Sequence, residues 1–319
     1  NSQINIIDSV ISENPDALIL GIIDQQSGQA QMEEASDSQI PVVIADSGIE
    51  SDLITSTCAT DHAAAAKLAA DHLCEAIGNS GEVAIVAHQY NTESSVERVE
   101  AFKKEIEEKY TDVKVVQVNY GDGEESIADM LKNTLETYPA LKGIFCTNED
   151  MADQTLDALA DMENTEQIQI VGFDSGEKQQ KAIQEGREYG TVTQNPYGLG
   201  YAAIVAAVRA IQGLPVDQKI DTGYQWIDKD TIDLETNQKK IRIKNEPGRQ
   251  GNVPLPAGFS ALQCGLRVLI VFVNSLYLFG NLLPDRGEID IRDAVLGDLR
   301  FGRRGIRLRV AHGSFWGCF

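Results

Sequence analysis

The feature that most constrains this chain is an alternation running through residues 1–233, where short apolar runs rich in β-branched residues are separated by longer amphipathic stretches. A run without polar alternation is buried on both faces, and parallel strands joined by crossover helices bury a sheet in that way. The pattern predicts strands at 17–22, 41–45, 82–88, 113–118, 143–147, 168–173 and 190–194. Helices are predicted over 62–77, 94–109, 124–137 and 197–212. The second of these sets Val96, Val99, Phe102 and Ile106 on one face, and the third does the same with Ile127, Met130, Leu131 and Leu135. The first places Ala66, Ala69, Ala70, Leu73 and Ile77 at helical spacing behind Thr60-Asp61, and the last follows Pro196, a residue suited to a helix start. The fold class is therefore α/β.

With 319 residues the chain is long for one domain, and two lobes are the expectation. Its net charge of −22 argues against a nucleic-acid partner, because such contact depends on clustered cations that neutralise backbone phosphates. The charge is unevenly spread. Residues 1–233 carry −28 with 11 Lys and 3 Arg, whereas 234–319 carries +6 with 3 Lys and 10 Arg. That switch points to separate origins for the tail, through a fusion or a misread frame, and the tail is expected to stand outside the main fold. Its apolar run Val268 to Leu283 is interrupted by Asn274, Ser275, Gly280 and Asn281 and is marginal for a membrane span. Arg303, Arg304, Arg307 and Arg309 would suit the cytoplasmic flank of such a span.

Five cysteines (Cys58, Cys74, Cys146, Cys264 and Cys318) form no Cys-x-x-Cys pair and have no His at ligand spacing, so buried free thiols are expected and no metal site. No Gly-x-Gly-x-x-Gly follows a strand, and no nucleophile, base and orienting group come together, so neither a nucleotide cofactor nor a catalytic residue is expected. The chain is read as a binding protein, not an enzyme.

In open parallel sheets ligands bind beyond the carboxyl ends of the strands. Asp46 follows Val42 to Ala45, Asn148 follows Ile144 to Thr147, Asp174 follows Ile170 to Phe173, and Gln194 closes Gly190 to Thr193. Arg98 stands early in the helix after the strand that ends at His88. Carboxylates, amides and one guanidinium suit a ligand of vicinal hydroxyls, which describes a sugar. Each residue alone has a purely structural reading: Asn148 as a helix N-cap, Asp46-Ser47-Gly48 and Asp174-Ser175-Gly176 as turns, and Arg98 as the partner of a Glu on its own helix. Their joint placement is what points to a ligand. His62 and His72 are expected to be solvated on a polar helix face. His88 is read either as a satisfied structural histidine or as reaching the ligand, and Trp226 as packing in the second lobe.

The series Pro41 to Asp46, Glu97-Arg98-Val99-Glu100-Ala101-Phe102, Thr147-Asn148-Glu149-Asp150, Val171-Gly172-Phe173-Asp174 and Thr191-Val192-Thr193-Gln194 resembles the ribose-binding branch of the type I periplasmic sugar-binding proteins. The resemblance covers nearly all of residues 1–233. It implies two Rossmann-like lobes with parallel sheets, the first from 1–60 and 195–222, the second from 61–194 and 223–233. Three crossings would join them, near Thr60-Asp61, Gln194-Asn195 and Thr222-Gly223. A pentose or hexose would lie in an interlobe cleft, contacted by Asp46, Arg98, Asn148, Asp174 and Gln194. Tyr120 is the nearest candidate for an expected aromatic, and Ser47 stands where the ribose binders commonly have Arg.

The resemblance further implies a monomer without cofactor, periplasmic or extracellular, held in its complete form as a membrane-anchored lipoprotein or free, which delivers its sugar to an ABC-type permease. The family opens with a strand, a helix and a strand, whereas this sequence begins at Asn1 within the second helix. The first lobe is thus expected to be incomplete and the protein N-terminally truncated. The run Val268 to Val273 has the composition of a buried parallel strand that could fill the vacated place. Two alternative functions share part of this pattern: the ligand-binding core of a lactose-repressor-type transcription regulator without its DNA-binding headpiece, and a receptor ectodomain tethered by residues 268–283.

Overall fold

Two sheets, each dominated by parallel pairing, organise the computed structural model, which describes residues 2–234, 267–272, 289–290 and 307–312. In chain order the elements are α1 (Ser2–Ser12), β1 (Ala17–Leu20), α2 (Gln29–Asp37), β2 (Val42–Ala45), β3 (Ser56–Ala59), α3 (His62–Ala76), β4 (Gly81–Ala87) and α4 (Glu93–Lys109). They continue with β5 (Val113–Tyr120), α5 (Ile127–Thr137), β6 (Leu141–Cys146), α6 (Glu149–Ala160), β7 (Gln169–Phe173), α7 (Glu177–Glu185), β8 (Gly190–Gln194) and α8 (Pro196–Ile211). Five short strands close the order: β9 (Lys219–Asp221), β10 (Tyr224–Asp228), β11 (Arg267–Phe272), β12 (Ile289–Asp290) and β13 (Arg307–His312).

Contacts divide the chain into two compact units. Unit 1 holds the described residues up to Ala59, Pro196–Asp221 and the three tail strands, and unit 2 holds Thr60–Asn195 and the residues from Thr222 to Leu234. The sheet of unit 1 has the order β12-β13-β11-β1-β2-β3-β9, in which only β12 runs antiparallel. The tail, expected outside the main fold, contributes β11 to this sheet. Its Val268, Leu269, Ile270 and Val271 lie in parallel register with Ala17, Leu18, Ile19 and Leu20, on the side of β1 away from β2. The predicted membrane-span candidate begins in this strand, and its remainder, 273–283, lies outside the described residues. Among the described residues no helix is long and apolar enough to cross a membrane.

Unit 2 has the order β10-β8-β7-β6-β4-β5, with β10 antiparallel at one edge. Its central strands are the apolar runs of the sequence, and every residue from Val83 to Ala87 and from Gly143 to Cys146 is buried. One face packs Ala66, Ala69, Ala70 and Leu73 of α3 and Val99, Phe102 and Ile106 of α4 against Val83, Ile85 and Phe145; the Phe102 and Phe145 rings stack at 4.4 Å. The other face packs Ile127 and Leu131 of α5 and Met151 and Leu156 of α6 against Ala84, Val86 and Ile144. Helix starts follow local chemistry: Asp61, Ser126 and Asn148 accept from the backbone N–H three residues on, at α3, α5 and α6. Cys58, Cys74 and Cys146 are buried free thiols, and burial pushes Cys58 up to about 11. Cys264 and Cys318 lie outside the described residues.

Two histidine expectations are overturned. His62 is 1% exposed, and His72, a quarter exposed, spends its ring on stacking with Trp226, centroids 3.8 Å apart, so neither stands free in solvent. His62 lies four residues before Ala66 and therefore continues the buried stripe of α3. The His72 ring covers the indole, which packs in unit 2 against the core. Burial outweighs the neighbouring carboxylates and lowers the His72 pKa, which keeps the ring neutral for stacking.

Candidate functional site

Because β8, β7, β6, β4 and β5 are parallel, their carboxyl ends lie in one row, occupied in turn by Gln194, Asp174, Thr147-Asn148, His88 and Tyr120. The centre of the row is a connected network. Asp174 follows β7 with φ +70°, a left-handed conformation that Asp tolerates better than most side chains. Its N–H donates to Val192 O at 2.9 Å, and its carbonyl accepts from Thr191 Oγ1 at 2.7 Å. The carboxylate accepts from Gln194 Nε2 at 2.7 Å on Oδ1 and from the Glu149 N–H at 3.3 Å on Oδ2. Gln194 is buried, and its Oε1 accepts in turn from Thr60 Oγ1 at 3.0 Å. The amide therefore fixes the Asp174 carboxylate from one side while being fixed itself by the first residue of unit 2.

Arg98 is 2% exposed and stands on the buried stripe of α4 with Ser95, Phe102 and Ile106. Nη1 donates to Thr147 O at 2.6 Å, Nη2 lies 3.1 Å from His62 Nδ1, and the guanidinium carbon is 3.7 Å from the centroid of the Phe173 ring. Arginine thus locks the residues immediately before Asn148 and Asp174, with a hydrogen bond on one and a cation–π contact on the other. For the first nitrogen of His62 to accept from Arg98, its proton must sit on Nε2, a tautomer inferred from the geometry.

Asn148 is the N-cap of α6, its Oδ1 accepting from the Met151 N–H at 3.0 Å. That bond uses the carbonyl half of the amide and leaves the Nδ2 donors without a hydrogen-bond partner among the described residues, so the structural reading and the ligand reading are compatible in one side chain. Glu149 is half-buried beside Asp174, and its carboxyl fills the space a side chain on Gly176 would need. Burial, reinforced by the Asp174 charge, raises its pKa to about 7. His88 Nδ1 lies 2.8 Å from Thr147 Oγ1 and its Nε2 lies 3.5 Å from Ser94 Oγ. Burial and the nearby Arg98 charge push the His88 pKa down to about 3, which makes it a neutral member of the row.

Tyr120 ends β5 at the sheet edge, three strands from Asp174 and so about 14 Å away at normal strand spacing. It packs against the core with Val115 and Val118, and does not join the network around Asp174. In unit 1, Asp46 follows β2 with φ +73°; its N–H donates to Cys58 O at 2.9 Å, and Ser47 Oγ lies 3.4 Å from Oδ2.

The arrangement can receive hydroxyl groups on fixed carboxylate and amide atoms, and it repeats the strand-end aspartate in both units. A family model described as a periplasmic binding protein domain matches residues 1–215. The chain belongs to that family. Among curated relatives, the ribose import binding protein of Haemophilus influenzae is 28% identical over 193 residues, which is 60% of this chain and 65% of that protein. The xylitol-binding protein of Mycolicibacterium smegmatis is 25% identical over 238 residues, 73% of this chain and 67% of that one. This chain therefore spans just under two thirds of the Haemophilus protein and about two thirds of the mycobacterial one. Among solved structures, a carbohydrate transporter solute binding protein from Agrobacterium radiobacter in complex with D-arabinose superposes with a TM-score of 0.70 at 27% identity, over 75% of this chain and 83% of that one.

Of the residues expected at the site, Arg98, Asn148, Asp174 and Gln194 stand on or beside this network in unit 2 and Asp46 stands in unit 1, while Thr60, His62, Thr147 and Glu149 join the network although the sequence did not single them out as contacts. A signal for two of these was available. His62 is in phase with the alanine stripe of α3, and Glu149 follows the cap at the very helix start where a carboxylate favours the dipole.

Proposed function

We propose that this periplasmic binding protein captures a neutral sugar, a pentose or hexose, and hands it to an ABC-type permease without chemical change. The observation that carries the reading is the Asp174 network, a carboxylate held by Gln194 and the Glu149 N–H beside the amide donors of Asn148. A polyol hydroxyl bonded to such a charged acceptor contributes about 1.5–3 kcal/mol, and several together give tight binding without covalent chemistry. In this reading Asp174 and Asn148 receive hydroxyls directly, Arg98 and Gln194 hold them in place at the ligand's edge, and Asp46 supplies the carboxylate of unit 1. Tyr120 offers an aromatic face at the far end of the row. The ribose, xylitol and D-arabinose named for the relatives support a monosaccharide or polyol of this size. The protein works outside the cytoplasmic membrane, lipid-anchored or free, as a monomer.

Thermal shift and calorimetry against D-ribose, D-arabinose, D-allose, D-fucose and xylitol test this. At about 100 times Kd a bound sugar adds about 2.7 kcal/mol and raises Tm by several degrees. Asp174→Ala and Arg98→Ala should remove that shift. A sugar-dependent shift unchanged in both variants overturns the site, and no shift with any of the five compounds overturns the sugar reading.

A further inference from the structure

Behind the Asp174 strand end lies a row of buried polar side chains that the sugar contacts leave unused. Glu188 is 1% exposed, and Gln179 and Thr191 are 0% exposed. Gln179 Nε2 donates to Glu188 Oε1 at 3.0 Å and to Thr191 Oγ1 at 3.4 Å. Thr191 Oγ1 passes its single proton on to the carbonyl of Asp174. All three side chains crowd onto the α-carbon of Gly172, where a Cβ would collide with Glu188 Oε1 and Gln179 Nε2 and press on Thr191 Oγ1. The backbone at 172 is therefore bare so that these groups can meet beneath the strand.

Burying two polar side chains this deeply is costly unless their positions serve something. Oε2 of Glu188 and Oε1 of Gln179 have no hydrogen-bond partner among the described residues, so a carboxylate at 188 would leave two buried acceptors without a donor there, whereas a carboxylic acid brings one. Burial drives the Glu188 pKa well upward, and Asp153 of α6 adds to the rise while Arg187 opposes it. Of the groups around it, the Cys146 thiol on β6 is itself neutral through burial, and burial likewise raises the Asp153 carboxyl, against the pull of Lys178. What the row touches is the peptide of a non-glycine residue at φ +70°, a conformation that persists only where its surroundings impose it.

We propose that Gln179 and Glu188 are positioning residues for sugar recognition: acting through Thr191, they fix the main chain at Asp174 and so set where its carboxylate meets the ligand. The inference rests on the sugar-binding reading, and its test separates the two. With D-ribose, D-arabinose and xylitol as probes in calorimetry, Glu188→Leu should weaken binding about tenfold while Tm stays level or rises, since an apolar side chain at 188 removes the desolvation cost of a buried polar one. Thr191→Val should lose affinity similarly, and Thr191→Ser and Glu188→Gln should restore it. A residue that merely filled the core would move affinity and Tm together. Wild-type affinity in both Glu188→Leu and Thr191→Val overturns the proposal. Should none of the five compounds named above bind the unaltered protein, the sugar reading fails and the positioning claim is read from backbone amide resonances instead. Those of Asp174 and Glu149 should shift in Glu188→Leu and Thr191→Val and return in the two conservative variants; amides that stay in place overturn it.

Discussion

Asp46 and Asp174 show the same backbone device used twice with different support. Each follows the buried strand of its unit, each takes a positive φ near 70°, and each donates its N–H to a carbonyl of the neighbouring strand, Cys58 O for one and Val192 O for the other. Around Asp174 the support is dense: Gln194 and the Glu149 N–H on the carboxylate, Thr191 on the carbonyl, and the Glu188–Gln179 pair behind it. At Asp46 the short hydroxyl of Ser47 lies 3.4 Å from Oδ2, in the place along the chain that Ser175 takes after Asp174. The comparison teaches that the strand-end turn places an aspartate, whereas the side chains behind it decide how rigidly the carboxylate is presented. Preorganisation of that kind lowers the ordering cost of binding.

The sharpest way to break the comparison is to remove each carboxylate in turn. Asp174→Ala should cost more than 100-fold in sugar affinity, since it deletes a charged acceptor and leaves the Gln194 amide facing an empty place, about 2.7 kcal/mol or more. Asp46→Ala should cost about tenfold. Calorimetric Kd values for the two variants decide it, and equal losses would show that the support behind Asp174 does not matter.

The second contrast is between the sheet edges. Unit 2 closes with antiparallel β10, whose Trp226 ring and Ile227 carbonyl press on Gly190; a Cβ there would stand 2.7 Å from that oxygen. Unit 1 closes with the three-residue β9, where Lys219 and Asp221 are exposed. Gly190→Ala should therefore destabilise by about 2–3 kcal/mol in a denaturant titration, because backbone cannot move aside as a flexible side chain does. Ile220→Ala in β9 should cost less than half as much.

Asn148 and Ser126 cap neighbouring helices, so they separate capping from recognition. Ser126→Ala should lower stability by about 1 kcal/mol and leave sugar affinity unchanged. Asn148→Ser keeps a capping oxygen but loses the two amide donors, so affinity should fall about tenfold with stability preserved. If Asn148→Ser binds as well as the unaltered chain, the residue is a cap and nothing more.

The same contrast explains what was legible in the sequence. Strands buried on both faces announce themselves as apolar runs, which is why β1, β2, β4, β6, β7 and β8 stand close to their expected places. The short strands β3 (Ser-Thr-Cys-Ala), β9 and β10 carry no such run, since the sheet presents part of each to solvent or to polar neighbours. Strand-end polar groups were legible because the parallel sheet dictates where a strand ends. Their supports were not: Glu188 sits in Glu185-Gly186-Arg187-Glu188, which has the composition of a solvated turn, and its burial against Gln179 and the bare backbone of Gly172 is a tertiary outcome. The two readings of Arg98, as a sugar contact and as partner of a Glu on its own helix, left its burial unstated for the same reason, although its phase with Phe102 and Ile106 placed it on the inner stripe.

The smallest expected effect concerns Glu149; after Asp46 the nearest carboxyl along the chain is Glu50, which is exposed. Its folded pKa is raised from 4.5 to about 7, so the native state holds the proton more tightly than the unfolded chain. The stability this contributes is complete below about pH 4.5, is lost as pH rises towards 7, and changes no further above it. Glu149→Gln, which cannot ionise, should flatten that part of the profile, raising Tm by about 2 °C at pH 8 relative to the unaltered protein while matching it near pH 4. Parallel Tm-against-pH curves for the two proteins would show that Glu149 stays charged and solvated beside Asp174, and that the two strand ends are electrostatically alike.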